Sequence, residues 1–98
     1  MLDELLQLLE GLAKRPSMYV NPVEVATVQS YLHGLEAGCS MAGLRVSREA
    51  YAEAAKARGW KLRAMGIVWQ MREQGLVEGE IIAELIAVQM DAFRLCEQ

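Results

Sequence analysis

The chain has 98 residues, 53% of them hydrophobic, and a formal net charge of −3 from 10 basic and 13 acidic side chains. That length supports a single domain around one core, and the acidic balance argues against the phosphate-neutralising surface on which nucleic-acid binding depends. Charged residues or His33 interrupt every apolar run before the roughly 20 residues that a membrane-spanning helix requires, so neither nucleic acid nor membrane is an expected partner.

The opening Met-Leu-Asp-Glu is acidic where a signal peptide is basic, which predicts a cytoplasmic protein. Cys39 and Cys96 fall on the apolar sides of separate helical segments, where free thiols act as small hydrophobes. A first helix is predicted over Leu2–Lys14, because Leu2, Leu5, Leu6, Leu9, Leu12 and Ala13 keep helical spacing while Asp3, Glu4, Gln7, Glu10 and Lys14 fall opposite. Pro16 ends it by lacking an N–H and by disfavouring the helical region at Arg15.

Asn21 as N-cap, Pro22 at the first helical position and Glu24 as capping-box partner predict a second helix from Pro22 to about Gly43. Its apolar side carries Val25, Val28, Tyr31, Leu32, Leu35, Cys39 and Ala42. Beside that stripe Ser30, Gly34, Gly38 and Ala42 recur every fourth residue as a shallow groove. Glycine costs a helix about 1 kcal/mol relative to alanine, so close packing of a neighbouring helix is expected there, with a dimer seam as the alternative.

Ser47 is the N-cap of a third helix over Arg48–Arg58, supported by Glu49 and ended by Gly59. Its alanine-rich body, with Tyr51 its one large apolar group, is expected to bury little and move most. After Trp60, a fourth segment from about Arg63 to Gln74 carries Met65, Ile67, Val68, Trp69 and Met71 around much of its circumference, the pattern of a central helix. Gly75 breaks it, and a last helix starts at Glu78 or Gly79 and runs to about Glu97. Its stripe of Ile81, Ile82, Leu85, Val88, Ala92, Phe93 and Cys96 is widened by Ile86 and Met90, and that width predicts a homodimer through this helix. Gln89 lies inside the stripe. It either finds hydrogen-bond partners in the core or pairs across a subunit interface, since an unmatched buried amide costs about 1–3 kcal/mol. The fold class expected is all-α, a compact bundle of four to five helices in one domain over residues 1–98.

One histidine and two widely separated cysteines give no metal motif, and no glycine-rich phosphate loop is present; no metal and no cofactor are expected. His33 and Glu36 are three residues apart, on the side away from the apolar stripe. Without a nucleophile or oxyanion donor beside them they read as a solvated face, so no catalytic residue is assigned. Residues 14–22 hold two prolines, two large apolar side chains and two cations. Met18 is expected to plug the loop onto the core, while Tyr19 either plugs or is displayed. Arg15 and Tyr19, with Trp60 and Lys61, form the aromatic-plus-arginine combination of binding hot spots. The reading is a non-catalytic protein-binding module using those four residues. The alternative is a small-molecule binder or enzyme with a pocket near Tyr19, His33, Glu36 and Trp69.

The string Lys14–Val20 resembles the Lys-Arg-Pro-Gly-Met-Tyr-Ile-Gly element of gyrase-type ATPase domains, but the chain is too short for one and lacks the glycine-rich ATP lid. More of the chain resembles a group of small bacterial helical proteins, some suspected of acting as immunity proteins in polymorphic toxin systems. The resemblance is carried by Leu8–Leu12, Arg15-Pro16-Ser17-Met18-Tyr19, Leu32-His33-Gly34, Arg58-Gly59-Trp60 and the stretch from Glu80 to Phe93. Ser17 and Asn21 stand where that group carries glycine. The resemblance implies a helical binding protein, with immunity-like neutralisation of a partner as its role, and transfers no active site.

Overall fold

Residues 2–63 and 66–96 are described by the computed structural model of the chain, and their regular structure is entirely helical. Helix α1 spans Leu2–Lys14, the span its leucine spacing predicts, and Pro16–Met18 follow as a single 3-10 turn. Then come α2 (Val25–Met41), α3 (Arg48–Ala57), α4 (Ile67–Glu73) and α5 (Glu78–Leu95). The expectations for Met65 and Glu97 lie outside the described residues.

Helix α2 starts three residues later than the Asn21–Pro22 signal predicts. Its N-cap is Glu24, while Asn21 and Pro22 lie exposed outside the helix. Two side chains set the later start. The Thr27 hydroxyl accepts from the Glu24 N–H at 3.1 Å and donates to the Pro22 carbonyl, which satisfies groups that an earlier helix would have used. The Glu78 carboxylate, at the start of α5, accepts from the Val25 N–H at 2.9 Å, so a residue 53 positions away caps the first turn. The start of α3 is as expected, with Ser47 Oγ accepting from the Ala50 N–H at 3.0 Å.

Helix α5 is the hub: α1, α2, α3 and α4 all pack on it. Ile81, Ile82, Leu85, Ile86, Val88, Ala92 and Phe93 are buried, so neighbours within one chain cover the wide stripe that suggested a homodimer. The α3–α5 pairing is the most extensive, against the expectation that α3 buries little. Ala54 and Ala55 are buried in it, and their small side chains let the two helices approach closely. Helix α4 is not central. It is one short stretch after Gly66, whose φ of +78° delays helix entry, and it buries Ile67 and Met71 while Trp69 stays 45% exposed. The Cα radius of gyration, 12.8 Å, matches the roughly 13 Å of a compact chain this long.

The groove of small residues on α2 faces solvent. Ser30, Gly34, Gly38 and Ala42 are exposed, and a Cβ added at Gly34 or Gly38 would meet no atom within 4 Å, so among the described residues no helix uses the groove. Gly11 is the opposite case, because a Cβ there would run into the Tyr19 hydroxyl. The same substitution is therefore expected to have opposite signs at two helical glycines. Gly34→Ala will stabilise by about 0.5–1 kcal/mol through helix propensity. Gly11→Ala will lose about 1–2 kcal/mol by displacing Tyr19. Urea denaturation of both variants checks the pair, and a destabilised Gly34→Ala would show that the groove is covered after all.

Candidate functional site

Four residues were expected to be displayed together, and the structure separates them. Arg15 is exposed at the entry of the 3-10 turn. Tyr19 is half-buried, its ring edge-on to Tyr31 with centroids 6.2 Å apart and its hydroxyl over Gly11. Tyr19 is thus the plug, and Met18, expected to be one, is 71% exposed. The turn that carries Met18 is fixed by its own backbone: Arg15 N–H donates to the Gly11 carbonyl at 2.8 Å, Met18 N–H to that of Arg15 at 3.0 Å, and Tyr19 N–H to that of Pro16 at 2.9 Å.

Trp60 is only 6% exposed and is corrected from a displayed residue to a core one. The physical reason is the helix end before it. Gly59, at φ +92°, donates to the Lys56 carbonyl at 2.9 Å and Trp60 to that of Ala55 at 2.9 Å, the Schellman arrangement that turns the residue after the glycine back onto the helix's apolar side. There the Trp60 indole N–H donates to Glu84 at 2.9 Å, whose carboxylate also grips the Arg58 guanidinium at 3.1 and 2.7 Å. The Arg58 hydrogen bonds, with a further contribution from the indole, hold the Glu84 carboxyl below its ordinary value against the opposing effect of burial.

Lys61 is exposed, its backbone held by the Gln70 side-chain amide, which accepts from the Lys61 N–H at 3.0 Å and donates to its carbonyl. It shares a shallow depression with Trp69, the tryptophan that is displayed. Among the described residues no hydrogen bond, ion pair or ring contact joins Arg15 and Tyr19 to Trp60 and Lys61.

The best-formed concavity is a cleft of about 540 Å³ between α2, α3, α5 and the start of α4. His33 and Glu36 line it, together with Gln29, Arg48, Tyr51 and Gln89; His33 is exposed at its rim and Glu36 is half-buried. Tyr19 and Trp69, expected beside it, lie elsewhere. The cleft's apolar lining joins buried Leu32, Leu85 and Ile67 to half-buried Val46 and Leu62. Gln89 is 3% exposed, and among the described residues its Nε2 donates to no acceptor. Core partners for this amide nitrogen were the favoured expectation; the described residues provide none. Burial, and then the nearby Glu36 carboxylate, pushes the Tyr51 hydroxyl up, which keeps it a neutral hydrogen-bonding group.

No family model, curated protein or solved structure matches this chain. Among the described residues no group of three or more histidine, cysteine or acidic side chains is placed to hold a metal ion, and no helix is long and apolar enough to cross a membrane. Both cysteines are free. Burial, with the Glu36 carboxylate adding to it, raises the thiol pKa of Cys39 and of Cys96; a backbone hydrogen bond only partly offsets this at Cys96. Neither is therefore an activated nucleophile. Gln29, Arg48 and Tyr51 are cleft residues that sequence reasoning missed. Arg48 and Tyr51 stand three apart on one helix, a shared-face signal, but nothing local says that this face meets α2.

Proposed function

We propose that the protein is a non-catalytic recognition module that binds another protein through the turn carrying Arg15 and Met18. The observation that supports this reading is Met18, 71% exposed on a turn whose backbone hydrogen bonds are already made. Methionine and arginine are both enriched at protein interfaces, and a turn ordered before contact loses little entropy on binding. Tyr19 acts beneath it as an anchor, and Trp60 belongs to the core. Immunity-like neutralisation is the form of recognition that the resemblance of the Arg-Pro-Ser-Met-Tyr turn implies.

The probe is a purified candidate partner, the first being whatever protein is encoded beside this chain, titrated calorimetrically against the full chain. Arg15→Ala and Met18→Ala are each expected to weaken binding about 10-fold, the level of a moderate hot-spot residue. Trp60→Phe will lower stability and leave affinity unchanged. If both turn variants bind as tightly as the parent chain, the turn is not the recognition surface.

A further inference from the structure

The cleft between α2, α3 and α5 presents both signs of charge. On its α3 wall stands Arg48 in the first turn, where the helix dipole adds partial positive charge. On its α2 wall stands Glu36. Neither side chain forms an ion pair, with each other or with any other described residue. The same cleft is lined by Gln89, which is buried with an Nε2 donor that meets no acceptor among the described residues, and by apolar side chains that include Leu32, Leu85 and Ile67.

A simple anion entering here would face Glu36, and a simple cation would face Arg48. A molecule with a carboxylate at one end and an ammonium at the other meets opposite charge at both, and an aliphatic body between them covers the leucines. We propose that this cleft binds a zwitterion of amino-acid to dipeptide size, its carboxylate toward Arg48, its ammonium toward Glu36, and an acceptor oxygen taking the Gln89 amide hydrogen. The volume of about 540 Å³ lies within the range of small-molecule sites, about 300–1,000 Å³. The site is separate from the Arg15–Met18 turn, so its test stands apart from that of the protein-binding reading.

The experiment titrates the full chain calorimetrically with L-leucine, leucyl-leucine, leucinamide and N-acetyl-leucine. Saturable heat is expected with leucine or with the dipeptide. The tighter of the two tells a free amino acid from a peptide, and the two blocked analogues will bind at least about 10-fold more weakly, since each loses one charge-assisted contact. Arg48→Gln will weaken the zwitterion by about 10- to 100-fold. Gln89→Leu will weaken binding by about 5- to 10-fold while leaving the melting temperature of the ligand-free chain unchanged or higher, because it removes an unmatched buried amide. The proposal is overturned if no probe gives heat, if leucinamide or N-acetyl-leucine matches the parent zwitterion, or if Gln89→Leu binds normally. A lower ligand-free melting temperature for Gln89→Leu would also overturn it, by showing that the fold itself already satisfies the amide.

Discussion

Glu84→Leu will destabilise the fold by about 2–4 kcal/mol, although leucine is the better helix former and Glu84 is not fully buried. The carboxylate accepts three hydrogen bonds, one from the Trp60 indole and two from Arg58, and thereby ties the end of α3 and the residue after it to the middle of α5. Removing it leaves the indole N–H of a tryptophan that is 6% exposed without an acceptor, a penalty of about 1–3 kcal/mol by itself. The bidentate Arg58 contact is lost as well. Trp60→Phe removes the orphaned donor, so the cost of Glu84→Leu in that background will be smaller. The difference, read from a double-mutant cycle in urea, is the coupling between the two side chains. A cycle with no coupling would mean that the indole is satisfied elsewhere.

The same carboxylate makes an acid-side prediction. Its folded pKa is lowered, so it contributes stability that is complete above the ordinary carboxylate value and disappears as pH falls through the folded one. The parent chain will lose stability as the pH falls below the ordinary carboxylate value and through the lowered folded one. Glu84→Leu will show a shallower loss over the same window, and thermal melts across that range measure the difference.

Where the sequence could be read, the controlling chemistry was local. The end of α1 at Lys14 follows from Pro16, the start of α3 from the Ser47 hydroxyl, and the start of α5 from the Gly75 break and the first-turn acids. Where it could not, a distant group decided. The Asn21–Pro22–Glu24 signal is a good helix start, yet Thr27 and Glu78 cap a helix that begins at Val25, and no local window contains Glu78. Helix α3 reads as weakly apolar because alanine carries little hydrophobic surface, but Ala54 and Ala55 are where α5 comes close.

At the candidate sites the errors exchange neighbouring residues. Met18 was expected inside and Tyr19 was left open, and the structure puts Met18 outside with Tyr19 against Gly11 and Tyr31. Trp60 was expected outside, with Trp69 beside a pocket on a central helix. Both corrections were latent in the sequence: the residue after a helix-ending glycine folds back onto the apolar side, and the four-residue spacing of Ile67 and Met71 sets one buried face that Trp69 does not share. Gln89 is legible in the sequence as an amide in an apolar stripe, and it lies in the lining of the cleft. The charges that face it, Glu36 and Arg48, come from helices whose packing is long-range, so only the fold shows them together.

Phe93→Ala will cost about 3–5 kcal/mol, the usual range for truncating a fully buried aromatic side chain. Phe93 has 0% exposure and lies on the helix against which all four others pack, so the void it leaves has no single neighbour able to close it. The argument carries over to the oligomeric state. Had the α5 stripe been half-covered by a second copy, part of the loss would be in association, and the stability of the parent chain would rise with its concentration. With the stripe covered inside one chain, the urea midpoint of the parent will not change with concentration. The midpoint of Phe93→Ala will fall by the same amount at micromolar and at hundred-fold higher concentration. A concentration-dependent midpoint, matched by a dimer in light scattering, would return α5 to an interface and place the cost of Phe93→Ala between two chains.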